Sequence, residues 1–145
     1  MDLLQEISKD HDEFRAQLAT MTETATSNPD ESVKIFRSLF EHLVAHHETE
    51  EHLVFPKLKA FEDARGPVEE GLEEHKAIDL YLEWVKASHK TERWEAKVSV
   101  LKELVTHHLE EEEDKVFKAV RTHLTSELAP LGEKFEAEEQ RRLSK

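Results

Sequence analysis

The chain has 145 residues, ten histidines, no cysteine and a formal net charge of −13. That length holds one domain with a core rather than two. The missing cysteine excludes disulfide scaffolds, thiolate zinc sites and iron–sulfur clusters, and the acidic balance opposes a phosphate backbone, so no nucleic-acid partner is expected.

Helical periodicity dominates from the start. Leu3, Leu4, Ile7, Phe14, Leu18 and Met21 recur at three-to-four spacing and predict a first helix over about 2–24. Thr24 to Asp30 is a break, with Asn28 as N-cap and Pro29 at the first helical position of the next helix. That second helix carries Phe36, Leu39, Phe40, Leu43, Val54 and Leu58 to about Phe61, with a kink or bent last turn expected at Pro56. Arg65-Gly66-Pro67 is the second break, and the third helix holds Leu72, Ile78, Leu82 and Val85. Lys90-Thr91 is the third break, with Thr91 as N-cap. The fourth helix carries Val98, Leu101, Leu104, Val105, Val116 and Val120. Pro130 and Gly132 then interrupt the pattern before a short charged helix over Glu133 to Leu143.

Four long helices with short connections predict an all-α, antiparallel up-down four-helix bundle with a short C-terminal helix. The domain is read as 1–145, with the bundle over about 2–123 and an extension over about 124–145. No apolar run reaches the ~20 residues of a bilayer span. The acidic start, Met1-Asp2-Leu3-Leu4-Gln5-Glu6, lacks the order of a secretion signal. A cytoplasmic protein without a membrane partner is expected.

The two halves of the chain repeat. Asp10-His11-Asp12-Glu13-Phe14 lies over Glu74-His75-Lys76-Ala77-Ile78, and Phe36, Leu39, Leu43, His46, Glu50, Val54 and Phe55 lie over Val98, Leu101, Val105, His108, Glu112, Val116 and Phe117. Each helix pair thus carries a His on its first helix and a His-x-x-x-Glu on its second. Residues four apart stack on one helix face, so His46 with Glu50, and His108 with Glu112, can each reach a common point. Burying two carboxylates among four imidazoles is costly unless cations pair with them. The six residues His11, His46, Glu50, His75, His108 and Glu112 therefore predict a two-metal site, with the glutamates bridging. Imidazole and carboxylate suit iron, manganese or zinc.

In the second helix, His46-His47-Glu48-Thr49-Glu50-Glu51 offers two adjacent pairs, His46/Glu50 and His47/Glu51. The helical wheel slightly favours His47 and the repeat favours His46; we follow the repeat. His42, His47, His52, His89, His107 and His123 are then surface or rim residues. Glu110 to Asp114 is a solvated face apart from Glu112. Tyr81 faces away from the site, and Trp84 and Trp94 pack the bundle end.

These residues resemble the hemerythrin-like, or HHE cation-binding, family. The pieces are His11, then His46, Glu50 and Glu51 before Val54-Phe55-Pro56, then Glu74-His75, then His108, Glu112 and Glu113. The resemblance implies a four-helix bundle around a non-haem di-iron centre, usually oxo- or hydroxo-bridged, with dioxygen, peroxide or nitric oxide as small ligands. Its members carry or sense oxygen, sense or store iron, or act on peroxide. It implies a di-iron protein that binds or reacts with dioxygen or its reduced forms, with a peroxide-consuming activity among the outcomes. The alternative is an iron- or oxygen-sensing or iron-storage module without catalysis. Oxygen-carrying members have a fifth His, one turn after that of the third helix. Here Asp79 takes that place, either as a further ligand, as an acceptor orienting one, or in a salt bridge with Arg15, its mate in the repeat.

Overall fold

The computed structural model describes residues 1–88 and 92–145. Helix α1 spans Leu3–Ser27, α2 Pro29–Leu53, α3 Phe55–Leu58, α4 Glu62–Ala87, α5 Trp94–Glu111, α6 Phe117–His123 and α7 Leu128–Leu143. A π-helical turn, Glu112–Val116, joins α5 to α6, and a 3₁₀ turn, Thr125–Glu127, precedes α7. Among the described residues there is no strand, and no helix is long and apolar enough to cross a membrane.

Local chemistry sets the ends of the helices. Asp2 caps α1 reciprocally: its carboxylate accepts from the Gln5 N–H at 2.9 Å, and the Gln5 side chain accepts from the Asp2 N–H at 2.9 Å. Asn28 caps α2 through the Glu31 N–H at 3.3 Å, with Pro29 in the first turn, as expected. The predicted bend at Pro56 is a full interruption: α2 stops at Leu53 and α3 restarts at Phe55 with the proline in its first turn.

Three expectations are corrected. Arg65-Gly66-Pro67 is not a break but lies inside α4, which starts at Glu62. The missing N–H of Pro67 leaves one carbonyl, that of the exposed Asp63, for water to serve. Pro130 and Gly132 do not interrupt α7 either. Pro130 sits in its first turn, where N–H groups lack intrahelical partners anyway. Trp84 is 54% exposed, whereas Trp94 is buried and donates its indole N–H to Ser32 at 2.9 Å. The proposed cap Thr91 and the rim residue His89 lie outside the described residues.

The rods α1, α2, α4 and α5–α6 form the bundle, neighbours packing in that cyclic order, and α7 lies across α1 and α2. The apolar core is in two parts. One gathers Phe14, Leu18, Leu39, Leu43, Ile78 and Val105; the other gathers Ile7, Val54, Phe55, Val68, Val116 and Phe135. The predicted site residues lie where one part gives way to the other: Ile7 and Phe14 flank His11, Leu43 and Val54 flank His46 and Glu50, Val68 and Ile78 flank His75, and Val105 and Val116 flank His108 and Glu112, with Leu109 of the first part seated between these two. The polar residues form a waist between two apolar ends.

Candidate metal centre

Each rod contributes to the waist. α1 places His11, α2 places His46, His47 and Glu50, α4 places His75, and α5 with the π turn places His108 and Glu112; all are buried. Their donor atoms fall into overlapping sets. The ligating atoms of His11, His46 and Glu112 lie within 4.8 Å of one another, as do those of His47, His75 and His108, and those of Glu50, His75, His108 and Glu112. The six residues predicted from sequence thus converge.

A seventh joins them. His47, expected at the rim, is 1% exposed, and its ring stacks on His75 with centroids 3.8 Å apart. Burial, followed by the neighbouring imidazoles of His75 and His108, holds it well below the usual histidine pKa. His46 and His47 are not alternatives. Consecutive residues project about 100° apart on a helix, so each faces a different donor set.

The outer nitrogens are held by carboxylates. Nδ1 of His11 donates to Glu113 at 2.7 Å, of His46 to Asp10 at 2.7 Å, and of His47 to Asp79 at 3.1 Å. Nδ1 of His75 donates to Glu51 at 2.8 Å and that of His108 to Glu74 at 2.7 Å. A carboxylate can only accept, so each Nδ1 carries a proton, and each Nε2 is left facing inward, free to give its lone pair to a cation. The Nε2 atoms of His11, His46, His47, His75 and His108, and all four carboxylate oxygens of Glu50 and Glu112, are buried without a hydrogen-bond partner among the described residues. His11 Nε2 lies 3.0 Å from Glu112 and His46 Nε2 3.1 Å from Glu50. Against the opposing burial, Glu112 and Glu113 raise the His11 pKa and Glu50 and Asp10 that of His46, so the metal-free waist draws in protons where cations would sit. Orphaned buried acceptors in such numbers are costly, and cations among them would remove that cost. The residues present fit a metal centre.

The residues also match a known domain type: the hemerythrin HHE cation-binding domain aligns with residues 2–120. The chain belongs to this family. A protein described as a DNA nickase, from Nostoc sp. (strain PCC 7120 / SAG 25.82 / UTEX 2576), is 30% identical over 129 residues, 88% of this chain and 36% of that protein. The chain therefore spans about a third of that relative's length. No solved structure matches at a significant level.

Within this HHE domain the supporting carboxylates follow the repeat. Asp10 and Glu74, each just before the first histidine of its half, hold His46 and His108; Glu51 and Glu113, each just after the inward glutamate, hold His75 and His11 across the bundle. Glu113 is not the solvated residue expected. It also accepts from Arg15 at 2.8 Å, and the His11 bond, stronger than the opposing burial, holds its pKa down at about 2. The doubled acid of each His-x-x-x-Glu-Glu was the signal for this role. Asp79 takes the orienting role among the three considered for it. It is half-buried and accepts from His47, while Arg15 pairs with Glu113 and Asp12. Burial, followed by the charges of Glu51 and Glu48, raises Asp79 to about 6 despite the opposing pull of His75.

The other histidines divide. His107 is exposed. His52 pairs with Glu138 at 2.6 Å, and His123 pairs with Asp63 and stacks on Phe61. His42, expected at the rim, is mostly enclosed and bonds Asp10 at 3.2 Å. Four phenylalanines line the waist: Phe14 and Phe135 meet His46 edge-on, Phe117 stacks on His11 and Phe55 on His75.

Proposed function

We propose that the waist holds two iron ions, one on His11 and His46, the other on His47, His75 and His108, with Glu50 and Glu112 shared between them, and that the domain binds or reacts with dioxygen or its reduced forms. The observation that carries this reading is the set of inward Nε2 and carboxylate atoms without partners. Bound iron would supply electrons and an open position for a small oxygen species.

The rest of the work falls to the chain. Glu113, Asp10, Asp79, Glu51 and Glu74 fix the imidazole tautomers and ring orientations. The phenylalanines keep the waist dry. The repeat supplies an asymmetry: the mate of His47 is Leu109, buried and without a donor atom. The His11–His46 side is then one ligand short, which favours a small-molecule position there. Four histidines would make the two ions equivalent; a fifth from His47 would make them unlike, which suits reversible oxygen binding. The nicking activity of the Nostoc relative is not carried over, because a net charge of −13 opposes DNA.

The test is metal analysis and an optical spectrum of protein produced with added iron, followed by oxygen-uptake and peroxide-consumption assays. About two irons per chain with near-ultraviolet oxo-to-iron absorption is the expected result. Protein that takes up neither iron, manganese nor zinc sinks the reading, and inertness toward oxygen and peroxide sinks its second half.

A further inference from the structure

Outside the waist, α1, α2 and α7 enclose a cavity of about 260 Å³ lined by Glu6, Asp10, Glu13, His42, Glu136 and Glu139, with the exposed Lys9 at its edge. Asp10 and Glu139 are each 4% exposed. They approach the same nitrogen: His42 Nε2 is 3.2 Å from Asp10 Oδ1 and 3.7 Å from Glu139 Oε2. Glu13 faces the other ring nitrogen at 3.8 Å. Glu139 Oε2 is buried without a hydrogen-bond partner among the described residues, and so is Glu6 Oε1. Its distance to His46 Nδ1, 3.5 Å, is too long to satisfy it, since that proton is already given to Asp10 at 2.7 Å.

Two buried carboxylates against one imidazole leave uncompensated negative charge. A proton on His42 neutralises part of it, and a divalent cation neutralises all of it. The donor set of one imidazole nitrogen and two carboxylate oxygens, with a cavity to hold water ligands, suits iron(II), manganese(II) or zinc(II). We propose that Asp10, His42 and Glu139 form a third site, for a single divalent cation, outside the paired centre and open to solvent through the cavity between α1, α2 and α7. Asp10 belongs to both places: Oδ2 holds His46, and Oδ1 faces the outer site. α7 contributes Glu139, which gives the C-terminal helix a chemical part in addition to a packing one.

The test uses the whole 145-residue chain already loaded with iron. Manganese(II) alone is titrated in, and bound ion is counted from the loss of the free-ion EPR signal and by equilibrium dialysis. One saturable manganese beyond the resident metal is expected. It is lost in Glu139→Gln and in His42→Gln, while iron content and the optical spectrum stay at wild-type values. Circular dichroism and thermal melts establish that each variant is folded, and the exposed Glu13→Gln, expected to weaken manganese binding, serves if a buried variant does not fold. No extra saturable manganese in the wild type overturns the proposal. So does extra manganese that the folded variants still bind, which marks it as general surface attraction. Failure of the paired centre would appear in the iron assay instead, so the two readings fail separately.

Discussion

His46 and His47 show how much a single position decides. The repeat identified His46 and the helical wheel pointed to His47; they looked like competing registers because only one neighbour was expected to face inward. Both do, since the waist surrounds α2 on more than one side. Removing either should therefore remove one ion and not both. His46→Ala and His47→Ala are each expected to fall from two metals per chain to about one, measured by metal analysis after iron loading. Retention of two in His47→Ala would return that residue to a packing role. The supporting acids are testable one at a time. Asp79→Asn and Glu113→Gln keep size and remove charge, and each is expected to weaken metal binding by about 10–100-fold in competition with a chelator. Unchanged affinity in Asp79→Asn would restore the surface-pair reading of that side chain. These acids were only half legible. Their place in the repeated motif is plain in the sequence, but which histidine each one serves depends on contacts across the bundle.

Among the elements, the two rods that carry His-x-x-x-Glu-Glu break at equivalent places by different means. On α2 the break falls at Val54 before Pro56, and the proline announced it. On the last rod the Phe117 N–H reaches back to the Glu112 carbonyl, closing a widened turn that takes in one extra residue. That turn lets Glu112 face inward and Glu113 reach His11 while Val116 and Phe117 still meet the core. Nothing in Glu112–Val116, without Gly or Pro, marks it locally. α7 was underestimated for a related reason: Pro130 and Gly132 read as stops, but the glycine is there for close approach. A methyl group on Gly132 would land on the Met1 carbonyl and the Asp2 backbone. Gly132→Ala is expected to destabilise the fold by about 1–3 kcal/mol through overpacking, read from urea denaturation. A neutral result would mean that the N-terminus moves aside freely.

For the whole molecule, the four rods and their pairing were readable because apolar spacing and caps report directly on them. The fit of α7 against α1 and α2 was not, being set by shape. Charge coupling belongs to this scale too. In the metal-free chain burial opposes charging His75, but Glu50 and Glu51 outweigh it and raise its pKa to about 9; Asp10 and Glu139 do the same for His42, also to about 9. Both exceed the ordinary 6.5, so the folded state binds these protons more tightly than the unfolded chain. Their stabilisation is complete below about pH 6.5 and is lost as pH rises through about 9. Thermal melts of chelated protein should fall across that window. Iron-loaded protein should lose the His75 part of this dependence, because coordination has already deprotonated that imidazole, and keep the His42 part until the outer site is filled. A chelated protein whose melting point rises over the same range would contradict the assignment.

The waist has one more consequence, for cooperativity. A layer of ionised groups across the middle of a bundle is a partition: hydrophobic cohesion does not cross it, so each apolar end stands largely on its own contacts. Stripped of cations, the ends should open separately, and amide exchange should report two protection levels along every rod, with the slow amides divided at His11, Glu50, His75 and Glu112. Cations clamped between the rods would tie the halves together and restore one concerted transition.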